Sequence, residues 1–122
     1  MELLPYDLRA QLPALLSQES IDFDEKTVYA KYFIPDAGWT WFVTEGQEQN
    51  GTYVFFGYVI SEVGEEWGLF YLRELEEVNE KAEELKDFYD MKGLSVELVS
   101  DFRPTNFRTA IAEFREAQES SN

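Results

Sequence analysis

The stretch Tyr53-Val54-Phe55-Phe56-Gly57-Tyr58-Val59-Ile60-Ser61 decides the fold. Aromatic and β-branched residues fill it and no charge or proline interrupts it, which suits the pleated, half-buried surface of a strand. The apolar run from Thr52 to Ile60 is too short to cross a bilayer as a helix. Just before it, Asn50-Gly51 is a hairpin signal, because a tight primed turn needs residues that tolerate positive φ. Working outward, Val28 to Ile34, Trp39 to Thr44 and Trp67 to Leu72 share the same composition and a period near two. Pro35-Asp36-Ala37-Gly38 separates the first two as a turn, with proline setting one dihedral and glycine accepting positive φ. Four sequential strands joined by such turns predict an antiparallel meander.

The flanks change period. Leu8, Leu12, Leu15 and Leu16 have helical spacing, but Pro13 disfavours helical geometry at Leu12 and splits Pro5 to Ser17 into two short turns. After Leu72, the residues Leu75, Val78, Ala82, Leu85 and Tyr89 form one apolar stripe, predicting a helix that ends near Gly93. Leu94 to Val99 alternates as a short fifth strand, and Pro104 or Thr105 opens a last helix with Phe107, Ala110, Ile111 and Phe114 inward. The expected architecture is α+β: an antiparallel sheet of four to five strands, a short N-terminal helix, and two C-terminal helices packed on it. One domain over residues 1–117 and a frayed tail over 118–122 account for the chain. At 122 residues it is long enough to bury about two-thirds of the surface its unfolded form exposes.

The absent residues exclude much chemistry. There is no cysteine and no histidine, so disulfides, zinc thiolate sites, cysteine nucleophiles and imidazole general bases are all excluded. No serine lies in a Gly-x-Ser-x-Gly elbow, and neither a phosphate-binding loop nor a dinucleotide glycine turn occurs. Asp22-Phe23-Asp24-Glu25 starts like a calcium loop, but Thr27 stands where that loop needs glycine and Phe33 where it needs a bidentate glutamate. A carboxylate-only mechanism needs two acids across a cleft, and so acidic a chain contains many accidental pairs. No catalytic, cofactor-binding or metal-ligating residue is assigned. The amino terminus, Met1-Glu2-Leu3-Leu4-Pro5, lacks the basic and long apolar regions of a secretory signal, and a cytoplasmic setting is expected.

Charge is the most unusual property. Asp and Glu number 25 against 10 Lys and Arg, for a net charge of −15, yet 44% of residues are hydrophobic, so the acid sits on a folded body. Such a body is repelled by phosphate backbones and anionic membranes; it suits basic surfaces. The acids concentrate between Glu62 and Asp90, where only Arg73, Lys81 and Lys86 oppose them. On the expected helix Glu76, Glu80, Glu83, Asp87 and Asp90 line one face at steps of about 4.5 to 6 Å, near the spacing of phosphates along a strand. With Glu62, Glu65 and Glu66 they form a candidate partner-binding surface for a Lys/Arg groove. The bland alternative is a solvated, solubilising face. A second candidate is aromatic: Trp39, Trp41 and Tyr58, if the helices leave one sheet face bare, could anchor a protein partner. Core packing competes with that reading.

Several stretches together resemble a family of small bacterial proteins from plasmids, phages and other mobile elements, catalogued as domain of unknown function 2958. They are Leu8-Arg9-Ala10-Gln11-Leu12-Pro13, Val28-Tyr29-Ala30-Lys31-Tyr32-Phe33, Trp39-Thr40-Trp41, Phe55-Phe56-Gly57-Tyr58-Val59 and Leu69-Phe70-Tyr71-Leu72-Arg73-Glu74-Leu75-Glu76-Glu77. The likeness covers the first two-thirds of the chain and fades after Glu77. That family has no established activity, so the resemblance implies no catalytic residue; it implies a setting among functions that protect a mobile element from host defence. With the charge, it leads to the expectation of a non-catalytic inhibitor of anti-restriction or anti-CRISPR type. Such an inhibitor would mimic nucleic acid in the basic groove of a host DNA- or RNA-binding protein or ribonucleoprotein, as a monomer or homodimer, without binding nucleic acid or membrane itself. The alternative is a protein-interaction module of the mobile element that uses its aromatic sheet face.

Overall fold

The computed structural model describes residues 2–120. Its centre is a five-stranded antiparallel sheet in the order β5-β4-β3-β2-β6, from β2 (Ala30–Ile34), β3 (Trp39–Gln49), β4 (Thr52–Ser61), β5 (Gly64–Tyr71) and β6 (Glu97–Leu98). The four strands β2 to β5 follow one another as the expected meander. At the β3–β4 turn Asn50 has φ 52° and Gly51 φ 79°, the paired left-handed conformation that the Asn-Gly signal implies. A separate two-stranded ladder joins β1 (Thr27–Val28) to β7 (Thr105–Asn106).

Both faces of the sheet are covered. One carries Ala30, Tyr32, Trp41, Val43, Phe55 and Phe70, with Leu8 and Leu12 from the N-terminal segment and Leu75 and Val78 of α2 (Leu72–Leu85) packed on them. Helix α1 (Tyr6–Gln11) stops where Leu12 turns extended at ψ 126°, as Pro13 requires. The opposite face carries Phe42, Tyr58, Ile60 and Trp67 beneath Phe107, Ala110, Ile111 and Phe114 of α3 (Phe107–Ser120). Phe42 meets Phe107 and Phe114 edge to face, with ring centroids 6.1 and 5.9 Å away. Helix α3 runs through Ser120; the rest of the expected tail, residues 121 and 122, lies outside the described residues.

Several boundaries differ from expectation: the Val28 to Ile34 segment divides between β1 and β2, and β5 begins at Gly64 rather than Trp67. Helix α2 ends at Leu85 rather than near Gly93, and the amides of Phe88 and Tyr89 both close back on the Leu85 carbonyl at 3.0 Å. Lys86 to Asp90 contains poor helix formers, and acids at a helix C-terminus oppose the macrodipole. Tyr89 is consequently 66% exposed rather than part of the inward stripe. The fifth strand shrinks to Glu97–Leu98 because Asn79 of α2 takes both backbone groups of Val96, accepting from its N–H at 2.7 Å and donating to its carbonyl at 3.1 Å. The last helix starts at Phe107, since Thr105 and Asn106 pair with β1, and the Asn106 side chain accepts from the Thr109 amide at 2.8 Å.

Strand β3 also runs beyond Thr44, to Gln49, through a bulge between Val43 and Glu45. There the backbones of β3 and β4 approach closely: a side chain at Gly57 would stand 1.8 Å from the Phe42 carbonyl oxygen. Only glycine fits that contact.

Candidate functional site

The acids singled out from the sequence do not form one straight line. Glu76, Glu80 and Glu83 lie on α2, but Asp87 and Asp90 follow its end and leave the helical register. Arg73 also gathers part of the array: its guanidinium binds both oxygens of Glu80 and approaches Glu77 at 3.4 Å and Glu76 at 3.8 Å. Bonding to Glu80 raises the Arg73 pKa, and Glu77 and Glu76 add to the effect. Lys86 pairs with Glu83, and Lys81 with Glu84 at 3.5 Å. These are exposed pairs, each contributing little stability, but they offset charge that a partner would otherwise meet.

Glu62 lies in the β4–β5 turn and Glu66 on β5, and both are exposed. Glu65, between them, is structural. Its carboxylate accepts from both terminal nitrogens of Arg115 on α3, at 2.8 and 2.5 Å, and from the Tyr58 hydroxyl at 2.7 Å. Arg115 and then Tyr58 lower the Glu65 pKa to about 2. The Tyr58 hydroxyl pKa moves up, from burial first and from bonding to Glu65 second.

Several cations elsewhere are similarly engaged. Arg9 lies 3.5 Å from Glu48, and Arg108 bridges Asp24 at 3.9 Å and Glu25 at 2.5 Å. Lys26 is buried and donates to the Gln18 carbonyl. Lys31 lies over the rings of Phe42 and Phe114, its pKa lowered by burial against an opposing pull from Glu113. Of the candidate acids, Glu62, Glu66, Asp87 and Asp90 form no ion pair among the described residues.

The second candidate set divides between two faces. Trp39 and Trp41 stand on the α2 side of the sheet, whereas Tyr58 lies on the α3 side against Trp67 and Phe107. Register explains the split: Trp41 pairs with Val59, so its neighbour Tyr58 points the other way. Trp41 is 6% exposed and belongs to the core, but Trp39 stacks on it at 5.5 Å and keeps 36% of its surface open. Together they line a groove of about 760 Å³ with Ile34, Phe70, Leu75, Met91 and Leu94, rimmed by Glu74, Glu77 and Lys81.

Sequence periodicity gave no sign of the buried polar node at the bulge. Glu45, 2% exposed, accepts from the backbone N–H groups of Leu16 and Gln18 at 2.7 and 2.8 Å. Gln18 in turn donates to the carbonyls of Thr27 and Thr44 and accepts from the Thr27 amide. Gln47 accepts from Leu15, and Gly46 donates to the Pro13 carbonyl at 2.9 Å, so the whole 13–18 loop is sewn to β3. Every buried side-chain nitrogen and oxygen of this cluster has a partner. A charged residue continuing a strand pattern, opposite a loop of donors, is the only signal that could have exposed it.

Among the described residues no group of three or more Asp or Glu side chains could hold a metal ion, and no helix is long and apolar enough to cross a membrane. No family model matches the chain, and no curated protein or solved structure is detectably similar to it.

Proposed function

We propose that this chain is a non-catalytic, acidic binding protein of a mobile genetic element whose partner is a basic nucleic-acid-binding protein or ribonucleoprotein of host defence. In this reading it acts as an anti-restriction or anti-CRISPR type inhibitor by occupying the groove meant for nucleic acid. One observation carries the reading. Its cations are largely spent on internal contacts, while Glu62, Glu66, Asp87 and Asp90 project without a cationic partner from a body of net charge −15. Such a surface attracts Lys/Arg grooves, with an affinity that falls steeply as salt screens it. The resemblance to mobile-element proteins supplies the defence setting.

The test is capture of host-lysate proteins on the wild type and on Glu62→Lys/Glu66→Lys/Asp87→Lys/Asp90→Lys, eluted with salt or with DNA. The reading expects a nucleic-acid-binding complex that salt or DNA releases and that the variant fails to capture. Equal capture by the variant, or a salt-resistant partner, overturns it.

The Trp39–Trp41 groove favours a second reading, an interaction module whose anchor is Trp39. Under it, Trp39→Ala costs partner binding more than charge reversal does.

A further inference from the structure

Strand β5 is an edge of the sheet: over eight residues, Gly64–Tyr71, it pairs only with β4. The opposite edge, β6, is two residues long. In an antiparallel ladder alternate residues turn their N–H and C=O groups toward the neighbouring strand and away from it. The Tyr71 amide points away from β4, because it donates to the Glu74 carboxylate at 2.9 Å. By alternation Leu69, Trp67 and Glu65 face outward as well, and among the described residues nothing meets their outward backbone groups.

From this edge we infer an interface with a second copy of the chain, in which two β5 strands pair antiparallel about a two-fold axis at Trp67 and join the two sheets into one. The inference does not depend on the proposed function. Only a register centred on Trp67 fits all three outward residues at once: Trp67 meets Trp67 of the copy, and Glu65 meets its Leu69 in both directions. No outward backbone group is then left over on these three residues. Charge placement agrees with the register. Glu66, which has no cationic partner, falls opposite Gly68 of the copy, and Glu65, already held by Arg115, falls opposite leucine, so no acid opposes an acid. The pairing also covers apolar surface that the single chain leaves open: Leu69 is 60% exposed, and Phe23, 50% exposed, stacks on Trp67 at 4.6 Å along the same face.

Net repulsion between two acidic bodies opposes the contact, so added salt strengthens it, the opposite of the salt response of a groove decoy. The test is sedimentation velocity on the full chain across concentration, at low and high salt, with Gly68→Glu and Gly68→Lys. A Cβ at Gly68 meets nothing within 4 Å, so both variants keep the fold. In the dimer each new side chain stands opposite Glu66 of the copy, twice by symmetry. The expected result is a dimer favoured by salt, with Gly68→Glu weaker than Gly68→Lys by about tenfold. Ala112→Glu and Ala112→Lys, on the exposed side of α3, differ from each other far less. A chain monomeric at every concentration and salt level overturns the inference. So does a dimer on which the two Gly68 variants act alike, or differ no more than the Ala112 pair.

Discussion

The bulge of β3 and the outer face of α2 both carry glutamates and use them in opposite ways. Glu45 is held by two backbone N–H groups in a buried site, and its geometry ties a loop to the sheet. Glu76, Glu77 and Glu80 share one arginine in open solvent, and Glu83 has a lysine nearby. In water the exchange of protein and solvent partners nearly cancels; in a buried site a lost partner leaves an uncompensated group. The contrast shows that an acid's role follows from whether fixed donors converge on it, which a count of charges does not reveal.

The comparison can be broken at the bulge first. Gly57→Ala forces a carbon against the Phe42 carbonyl, and urea denaturation should show a loss of about 4 kcal/mol or more. Glu45→Ala strips the Leu16 and Gln18 amides of the acceptor that ties their loop to β3, the Gln18 amide in a buried position; a loss of about 3 kcal/mol is expected in the same measurement. A stability change as small as that of a surface acid would refute the contrast.

Glu65 lies between the extremes and sharpens it by pH. Its folded pKa of about 2 is below the ordinary 4.5, so its contribution is complete above pH 4.5 and disappears as the pH falls from there toward 2. Acid denaturation of Glu65→Gln should lack that part of the pH dependence and begin from a lower stability above pH 4.5. If wild type and variant lose stability in parallel through this window, the Arg115 bond does not have the assigned effect. The smallest effect belongs to α2: Glu80→Gln and Glu83→Gln should each shift stability by no more than about 0.5 kcal/mol, checked by thermal melting at low and high salt.

Much of the sheet was legible in the chain because its signals are local. The aromatic and β-branched run of β4, the Asn50-Gly51 turn and the Pro35 to Gly38 turn each act over a few residues, and they place the meander directly. Pro13 likewise stops α1 through its own ring. The candidate acids were legible as composition, and their grouping on the surface was not. Apolar periodicity carried α2 past Leu85, yet the backbone closure at Phe88 and Tyr89 and the Asn79 clasp on Val96 turn the chain away.

By itself, then, the sequence determined the α+β class, the antiparallel order of the central strands, and an acidic body without the side chains of histidine or cysteine chemistry. Tertiary structure alone decided which acids are free, which are clamped and which is buried. It also put Trp41 and Tyr58 on opposite faces and left the β5 edge open. The reason is the range of the forces: propensity and turn geometry act between neighbours in the chain, whereas pairing, burial and hydrogen-bond satisfaction depend on groups that only folding brings within reach.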